Sequence, residues 1–362
     1  MNAKRITALA LALVMTLLLA ACGSKTVVND DGTKTEQTER GVKVTQTAAK
    51  AVQTEKYETA DFSMTIPKGW TVTTGGTNIY HSIRVYDPAE PLNQMFVLLK
   101  ADVLLHSQAG KEAWQQNYSM GNTQAALFTK AAVLDNPSTE GFFKIFSQYT
   151  AFASEVEPAY SGYAFPRFDN FTVTDRYPSA SPMKSSALGD EQLRATFTDN
   201  GKEGEGLFAA SVVDFGSFAI SNGNVVGYQL QAVDGGYYMA YNIVAVTAAK
   251  DTFIEWEGVL TDCFKTLQYS DSFVSTTNQA SNEKVALAQQ ISQNFNATMD
   301  GFMSSWESRN RSQDIMSQKQ SDATLGYERV YDTETGEIYK ATNGFTDVYD
   351  GKRYKAVTDD NM

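Results

Sequence analysis

The sequence predicts an α+β protein in which an antiparallel sheet packs with helices, and three patterns carry that prediction. Apolar and polar residues alternate in several short runs, the period of half-buried strands. In other runs the apolar residues recur every three or four positions, the period of amphipathic helices. Gly, Pro and Asn punctuate the runs as hairpin turns do, and the order does not suggest parallel βαβ units.

Folding signals begin at Phe62, where Phe62, Met64 and Ile66 alternate before Pro67-Lys68-Gly69, so two strands joined by a turn are expected there. Strands are expected at Ile79 to Tyr86 and Gln94 to Leu105, then a helix from Ser107 to about Tyr118. A further helix opens at Ser138 after Asn136-Pro137, with Phe142, Phe146, Tyr149 and Ala153 on one face. Antiparallel strands fill most of Asn170 to Val246. Asn200-Gly201 favours a type I′ hairpin turn, and Asp234-Gly235-Gly236 marks a second turn. A helix starts near Asp251 and carries Phe253, Trp256, Leu260, Cys263, Phe264 and Leu267 on its apolar face, which makes Cys263 a buried, inert thiol.

Beyond residue 270 the pattern changes. Leu287, Ile291, Phe295, Met299, Phe302 and Trp306 predict a long amphipathic helix over roughly 281–311, within a segment 271–324. From 325 to 362, short Tyr-rich runs such as GYERVYD, EIYKA, TDVYD and RYKAV predict a small β-meander. At the other end, residues 22–56 are rich in Lys, Thr, Gln, Glu and Asp and poor in large apolar side chains. That composition predicts a flexible polar tether leading into the α+β domain at 57–270.

Charge and cysteine content exclude several classes. With 30 basic and 42 acidic residues the net charge is −12, which disfavours nucleic acid and anionic headgroups as partners. The two cysteines are Cys22 and Cys263, and the two histidines are His81 and His106, so a Cys/His zinc site is nearly excluded. No GxSxG, HExxH, GxxxxGK[ST] or GxGxxG motif is present, and no cofactor or metal is expected.

Lys4 and Arg5 precede an apolar run from Ile6 to Ala21 that is too short for the roughly 20 residues of a spanning helix. The run ends in Leu19-Ala20-Ala21-Cys22-Gly23-Ser24, which resembles the bacterial lipobox. The resemblance implies cleavage of a signal peptide at 1–21, lipid on Cys22, and anchoring at the extracytoplasmic face of a bacterial cell membrane. Cleavage removes two of the 30 basic residues and no acid, deepening the charge from −12 to −14.

DFSMTIPKGWTV, the pair LRATFTDNG and GLFAASVV, and FIEWEGVLTDCFKTL together look like the PsbP-like α+β sandwich of some bacterial lipoproteins. The match spans about half of residues 57–270, and the stretch from about Ser107 to Ser179 exceeds that family's usual connections, as a large insertion would. The resemblance implies binding and assembly of partners more than catalysis, and fold analogy alone assigns no function.

The candidate partner-binding residues lie in two places. Tyr160, Tyr163, Phe165, Arg167 and Phe168 lie in a Gly/Pro-bounded loop that is either an aromatic platform for sugars, peptides or a partner, or a staple fastening the loop to the core. Tyr80, Arg84 and Tyr86 share one face of a strand, which is either an ordinary solvated sheet face or a grip for a ligand carboxylate or sugar, while His81 shares the other face with Ile79, Ile83 and Val85 as a core-edge histidine. Ser107 reads as a helix cap beside His106 rather than half of a catalytic pair. The 332–337 run resembles a calcium loop but puts its glycine fifth, and a hairpin turn explains it. These readings point to a non-catalytic binding or assembly module for a protein or envelope component. An acid-based envelope hydrolase such as a glycosidase is the first alternative, and a solute-binding lipoprotein the second.

Overall fold

The computed structural model describes residues 26–28, 33–38, 41–46, 52–178, 182–189, 191–226, 229–280, 327–333, 338–342, 345–349 and 351–357. The chain divides into two units, residues 48–309 and residues 1–47 together with 310–362. The architecture is α+β, with antiparallel sheets and helices.

The described strands of the larger unit are β1 (Thr54–Glu58), β2 (Phe62–Pro67), β3 (Thr71–Gly75), β4 (Ser82–Tyr86), β5 (Gln94–Leu105), β6 (Ala132–Val133), β7 (Asp169–Pro178), β8 (Glu191–Asp199), β9 (Lys202–Gly216), β10 (Ala219–Val226), β11 (Gln229–Asp234), β12 (Tyr237–Ala249) and β13 (Gln268–Tyr269). Its described helices are α1 (Gln108–Ser119), α2 (Ala126–Lys130), α3 (Thr139–Lys144), α4 (Phe146–Val156), α5 (Phe253–Lys265) and α6 (Asp271–Ala280). The main sheet runs β7-β8-β9-β12-β5-β4-β3, antiparallel throughout, with the short β6 added in parallel to β5. Beside it stand the three-stranded sheet β13-β2-β1 and the hairpin β10-β11.

Both faces of the main sheet are covered, which is why β5 is buried along nearly its whole length instead of alternating with solvent. Phe96 and Leu98 join Phe208, Ile243 and the aromatic face of α3 and α4 in one core. Met95, Val97 and Leu99 turn the other way, onto Trp256, Leu260 and Phe264 of α5 and Phe62, Met64 and Ile66 of β2. The period of two along one strand thus feeds two separate cores. A Phe fully removed from water contributes about 1.5–3 kcal/mol, and Phe143 alone touches the rings of Phe146, Phe168, Phe171 and Phe208.

Local signals translate directly. Ser107 accepts a hydrogen bond from the Gly110 amide at 3.1 Å and caps α1. Ser138 does the same for α3 through Gly141 at 3.0 Å. The helix expected from Ser138 is two helices, broken at Ile145, yet Phe142, Phe146, Tyr149 and Ala153 are all buried on the sheet. Asn200 and Gly201 have φ of 50° and 83° and close the β8-β9 hairpin, with Asp199 opposite Lys202.

Pairing partners differ from the simple expectation at β2 and β3. The Pro-Lys-Gly turn is present, but the two strands do not pair: β2 joins β1 and β13, while β3 joins β4. The expected strand start at Ile79 is a short 3-10 turn, Asn78–Tyr80, and β4 begins only at Ser82.

In the other unit, Thr26–Val28, Thr33–Thr38 and Gly41–Gln46 are strands, where a tether without structure was expected. They belong to an antiparallel six-stranded sheet with Ile338–Thr342, Tyr327–Asp332 and Tyr354–Ala356. The tether reading weighed the shortage of large apolar residues; Thr- and Val-rich runs still favour extended backbone, and pairing satisfies their amides. The expected strand TDVYD is instead a helical turn, Phe345–Val348, held by Glu328, which accepts from the amide of Thr346 at 2.5 Å. The Asp332 carboxylate is taken up by Arg353, at 3.0 and 2.7 Å, so it is spent on an ion pair. Cys22 and the helix expected over 281–311 lie outside the described residues.

Candidate functional site

The aromatic loop at 158–168 turns its rings inward. Tyr160 and Phe168 are buried and Tyr163 nearly so, and all three, with Phe165 against them, belong to the α3/α4 core. The Tyr160 hydroxyl donates to the Tyr80 carbonyl at 2.5 Å, and the Tyr163 hydroxyl pairs with Ser82 Oγ at 2.8 Å. Burial pushes both phenols above their ordinary range. Arg167 is exposed and bonded to Asp169 at 2.8 Å. The loop is therefore a staple across the sheet, and its rings are not available as a platform. The aromatic density that made it conspicuous is what the core consumes.

Tyr80, Arg84 and Tyr86 do not form an open grip either. Arg84 is buried, donates to Gln94 Oε1 at 2.7 Å and to the Ala164 carbonyl at 3.2 Å, and lies over the Tyr86 ring. Burial lowers its pKa, with Tyr163 opposing that shift. Tyr80 donates to Asp102 Oδ2 at 3.1 Å, the same oxygen that Lys100 approaches at 3.0 Å from a fully buried position. His81 is packed among Phe62, Tyr269 and Phe273, with Nδ1 3.4 Å from the Tyr269 hydroxyl. Desolvation brings its pKa down to about 4, against the pull of Asp61. Cys263 is buried on α5 with its thiol pushed up to about 11 by desolvation, so it is a poor nucleophile.

The open chemistry lies elsewhere, where β9, the β10-β11 hairpin and α1 meet. His106 leaves the end of β5 with its ring between two carboxylates: Nδ1 is 2.8 Å from Asp234 Oδ2, and Nε2 is 3.1 Å from Asp214 Oδ1. An ionised carboxylate only accepts, so Nδ1 donates to Asp234. The contact at Nε2 is within ion-pair distance but lacks hydrogen-bond geometry. Asp234 also accepts from Ser217 Oγ at 3.0 Å and from the amides of Gly236 and Phe218 at 2.8 and 3.3 Å. Burial would raise its pKa, but the bonds from His106, Gly236 and Ser217 prevail and hold it below the usual value. The imidazole, lying on the Tyr238 ring at 4.1 Å, fills the space between the acids.

That clasp fixes the base of a surface made of rings. Phe215 stacks on Tyr237 at 4.5 Å with 10° between the planes, and Trp114 stacks on Phe128 at 4.2 Å and 13°. Phe218 stands edge-on to both Trp114 and Tyr237. The Trp114 indole donates to the Gly235 carbonyl at 3.0 Å, and Asn117 donates to the Ser221 carbonyl at 2.8 Å, so α1 holds the hairpin from its side. Phe215 is 54 % exposed and Phe218 37 %, and Tyr118, Met120 and Leu127 add further exposed apolar side chains from α1, its C-cap and α2. Asp214 and Asp234 remain 47 % and 40 % exposed at its rim.

Sequence reasoning passed over this surface. Phe215 and Phe218 flank Gly216-Ser217 at the end of an apolar strand, a placement that aims two rings away from a regular sheet face; that was the available signal. The partners Trp114, Phe128 and Tyr237 come from positions whose proximity only the fold creates. Among the described residues, no cluster of three or more His, Cys, Asp or Glu could hold a metal ion, and no helix is long and apolar enough to cross a membrane. The chain matches no family model and no curated protein.

Proposed function

We propose that the protein is a lipid-anchored, non-catalytic binding module of the bacterial cell envelope, held at the membrane through Cys22 and engaging a partner through the Phe215/Phe218 surface. The observation that carries the binding reading is the exposure of two aromatic rings where β9 leads into β10, braced by Tyr237 and Trp114, since large exposed apolar side chains that cluster mark interaction sites. The PsbP-like sandwich, with a large insertion and a long helix after it, is the fold reading that accompanies this proposal. The two layers covering the main sheet support it, and partner binding is what that resemblance implies.

The hydrolase alternative needs two carboxylates with room between them for a water or a glycosidic oxygen. The aromatic-flanked pair Asp214 and Asp234 has its space filled by the His106 ring, which favours a structural clasp there.

The test is crosslinking and affinity capture of the intact lipoprotein from membranes, run in parallel with a Phe215→Ala, Phe218→Ala variant. A specific partner recovered by the natural protein and lost in the variant supports the proposal. Equal recovery by both, or no specific partner, overturns it. Detergent phase partitioning of Cys22→Ala tests the anchor separately: that variant should move to the aqueous phase.

A further inference from the structure

The geometry points to a proton-operated latch: with a proton on both ring nitrogens, His106 grips the two ends of the 214–218 run that presents Phe215 and Phe218, and it releases one end when Nε2 loses its proton. This goes beyond the binding reading, since it concerns what holds the surface in shape rather than what occupies it. The run from Asp214 to Phe218 is where β9 gives way to β10, and a carboxylate at the imidazole holds each end. At one end Asp214 Oδ1 lies 3.1 Å from Nε2. At the other, Asp234 Oδ2 lies 2.8 Å from Nδ1, and that carboxylate also accepts from Ser217 Oγ at 3.0 Å and the Phe218 amide at 3.3 Å.

Nε2 decides the state of the latch. The atom is buried and has no hydrogen-bond partner, so it cannot turn to bulk water for one. A neutral imidazole with its hydrogen on Nδ1 carries a lone pair at Nε2, which would meet the Asp214 oxygen as acceptor against acceptor. An imidazolium instead places a cation between two anions, and the Tyr238 ring beneath it at 4.1 Å favours that charge. The ionisable groups facing the ring are Asp214 from β9, Asp234 from β11 and the Tyr238 phenol from β12, which burial holds above its ordinary range and so keeps neutral. Once Nε2 is bare, Asp234 still keeps Ser217 and the amides of Phe218 and Gly236. Asp214, whose side chain is 47 % exposed, turns its charge to water, and the end of β9 loosens. Histidine is the side chain that changes charge between about pH 5 and 8, so the ring surface is best ordered on the acidic side of neutrality.

The experiment is amide exchange by mass spectrometry on the full-length lipoprotein in detergent at about pH 6 and about pH 8, with rates corrected for the chemical effect of pH. Protection over 214–218 should be about two- to fivefold greater at the lower pH. Asp214→Asn keeps the side chain's shape and removes the charge facing Nε2, so it should lose that difference while β12 stays protected. His81 is common to both proteins, so the comparison isolates His106. Equal protection of the natural protein at both pH values, or the same pH difference in Asp214→Asn, overturns the inference. The two readings fail separately: exchange decides the latch, and capture with the Phe215→Ala, Phe218→Ala variant decides the binding reading.

Discussion

The ring of Phe197 occupies the place where a side chain at Gly204 would stand. The two residues face each other across the β8-β9 hairpin, and a Cβ at 204 would lie 2.4 Å from Phe197 Cζ and 2.8 Å from both Cε atoms. Phe197 cannot swing aside, because Phe168 and Phe208 pack edge-on against it. Gly204→Ala should therefore cost about 1–3 kcal/mol by overpacking, read as a lower urea midpoint. Adding Phe197→Leu should recover part of that loss, and a further fall instead would show that the strain lies in the backbone.

His81 makes stability depend on pH. Its native pKa of about 4 lies below the ordinary 6.5, so the folded state binds the proton less readily than the unfolded one. Stability is complete above pH 6.5 and falls as pH drops from 6.5 to 4, by about 3 kcal/mol in total. His81→Gln should flatten the urea midpoint across that window. A profile with the same slope as the natural protein would remove His81 as its source.

Lys100 and Asp102 form the other high-stakes pair. Lys100 is fully buried, while Asp102 keeps the Tyr80 hydroxyl and some solvent. Lys100→Met should destabilise the fold by about 2–4 kcal/mol, because it leaves a partly buried carboxylate without its cation. Combining it with Asp102→Asn should cost less than the sum of the two single changes in a double-mutant cycle. Strict additivity would mean that the two do not interact.

Asp234 should control the hairpin rather than the whole fold. Asp234→Ala removes the acceptor shared by His106, Ser217 and the amides of Phe218 and Gly236. Amide exchange should accelerate across β10 and β11 while the buried centre of β12 stays protected. Uniform acceleration through β12 would make the clasp part of the global core.

What could be read from the sequence was what short spans determine. Ser107 and Ser138 as caps, Asn200-Gly201 as a turn and the apolar stripe of α5 depend on neighbours within a few residues. Partners far away in sequence could not be read: Phe62 pairs with Tyr269, and His106 meets Asp234 128 positions on. The aromatic loop misled for a physical reason, since Tyr160, Tyr163 and Phe168 have the same composition whether they face a ligand or a core. Phe215 and Phe218 drew no notice because single aromatics near a turn are ordinary until the fold groups them.

Val42, Lys43 and Val44 lie in register with Lys340, Tyr339 and Ile338, so the first and last parts of the chain share one ladder. A truncation before Ile338 therefore does more than shorten the tail: it strips Gly41–Gln46 of one neighbour and turns it into an edge strand with open amides and carbonyls.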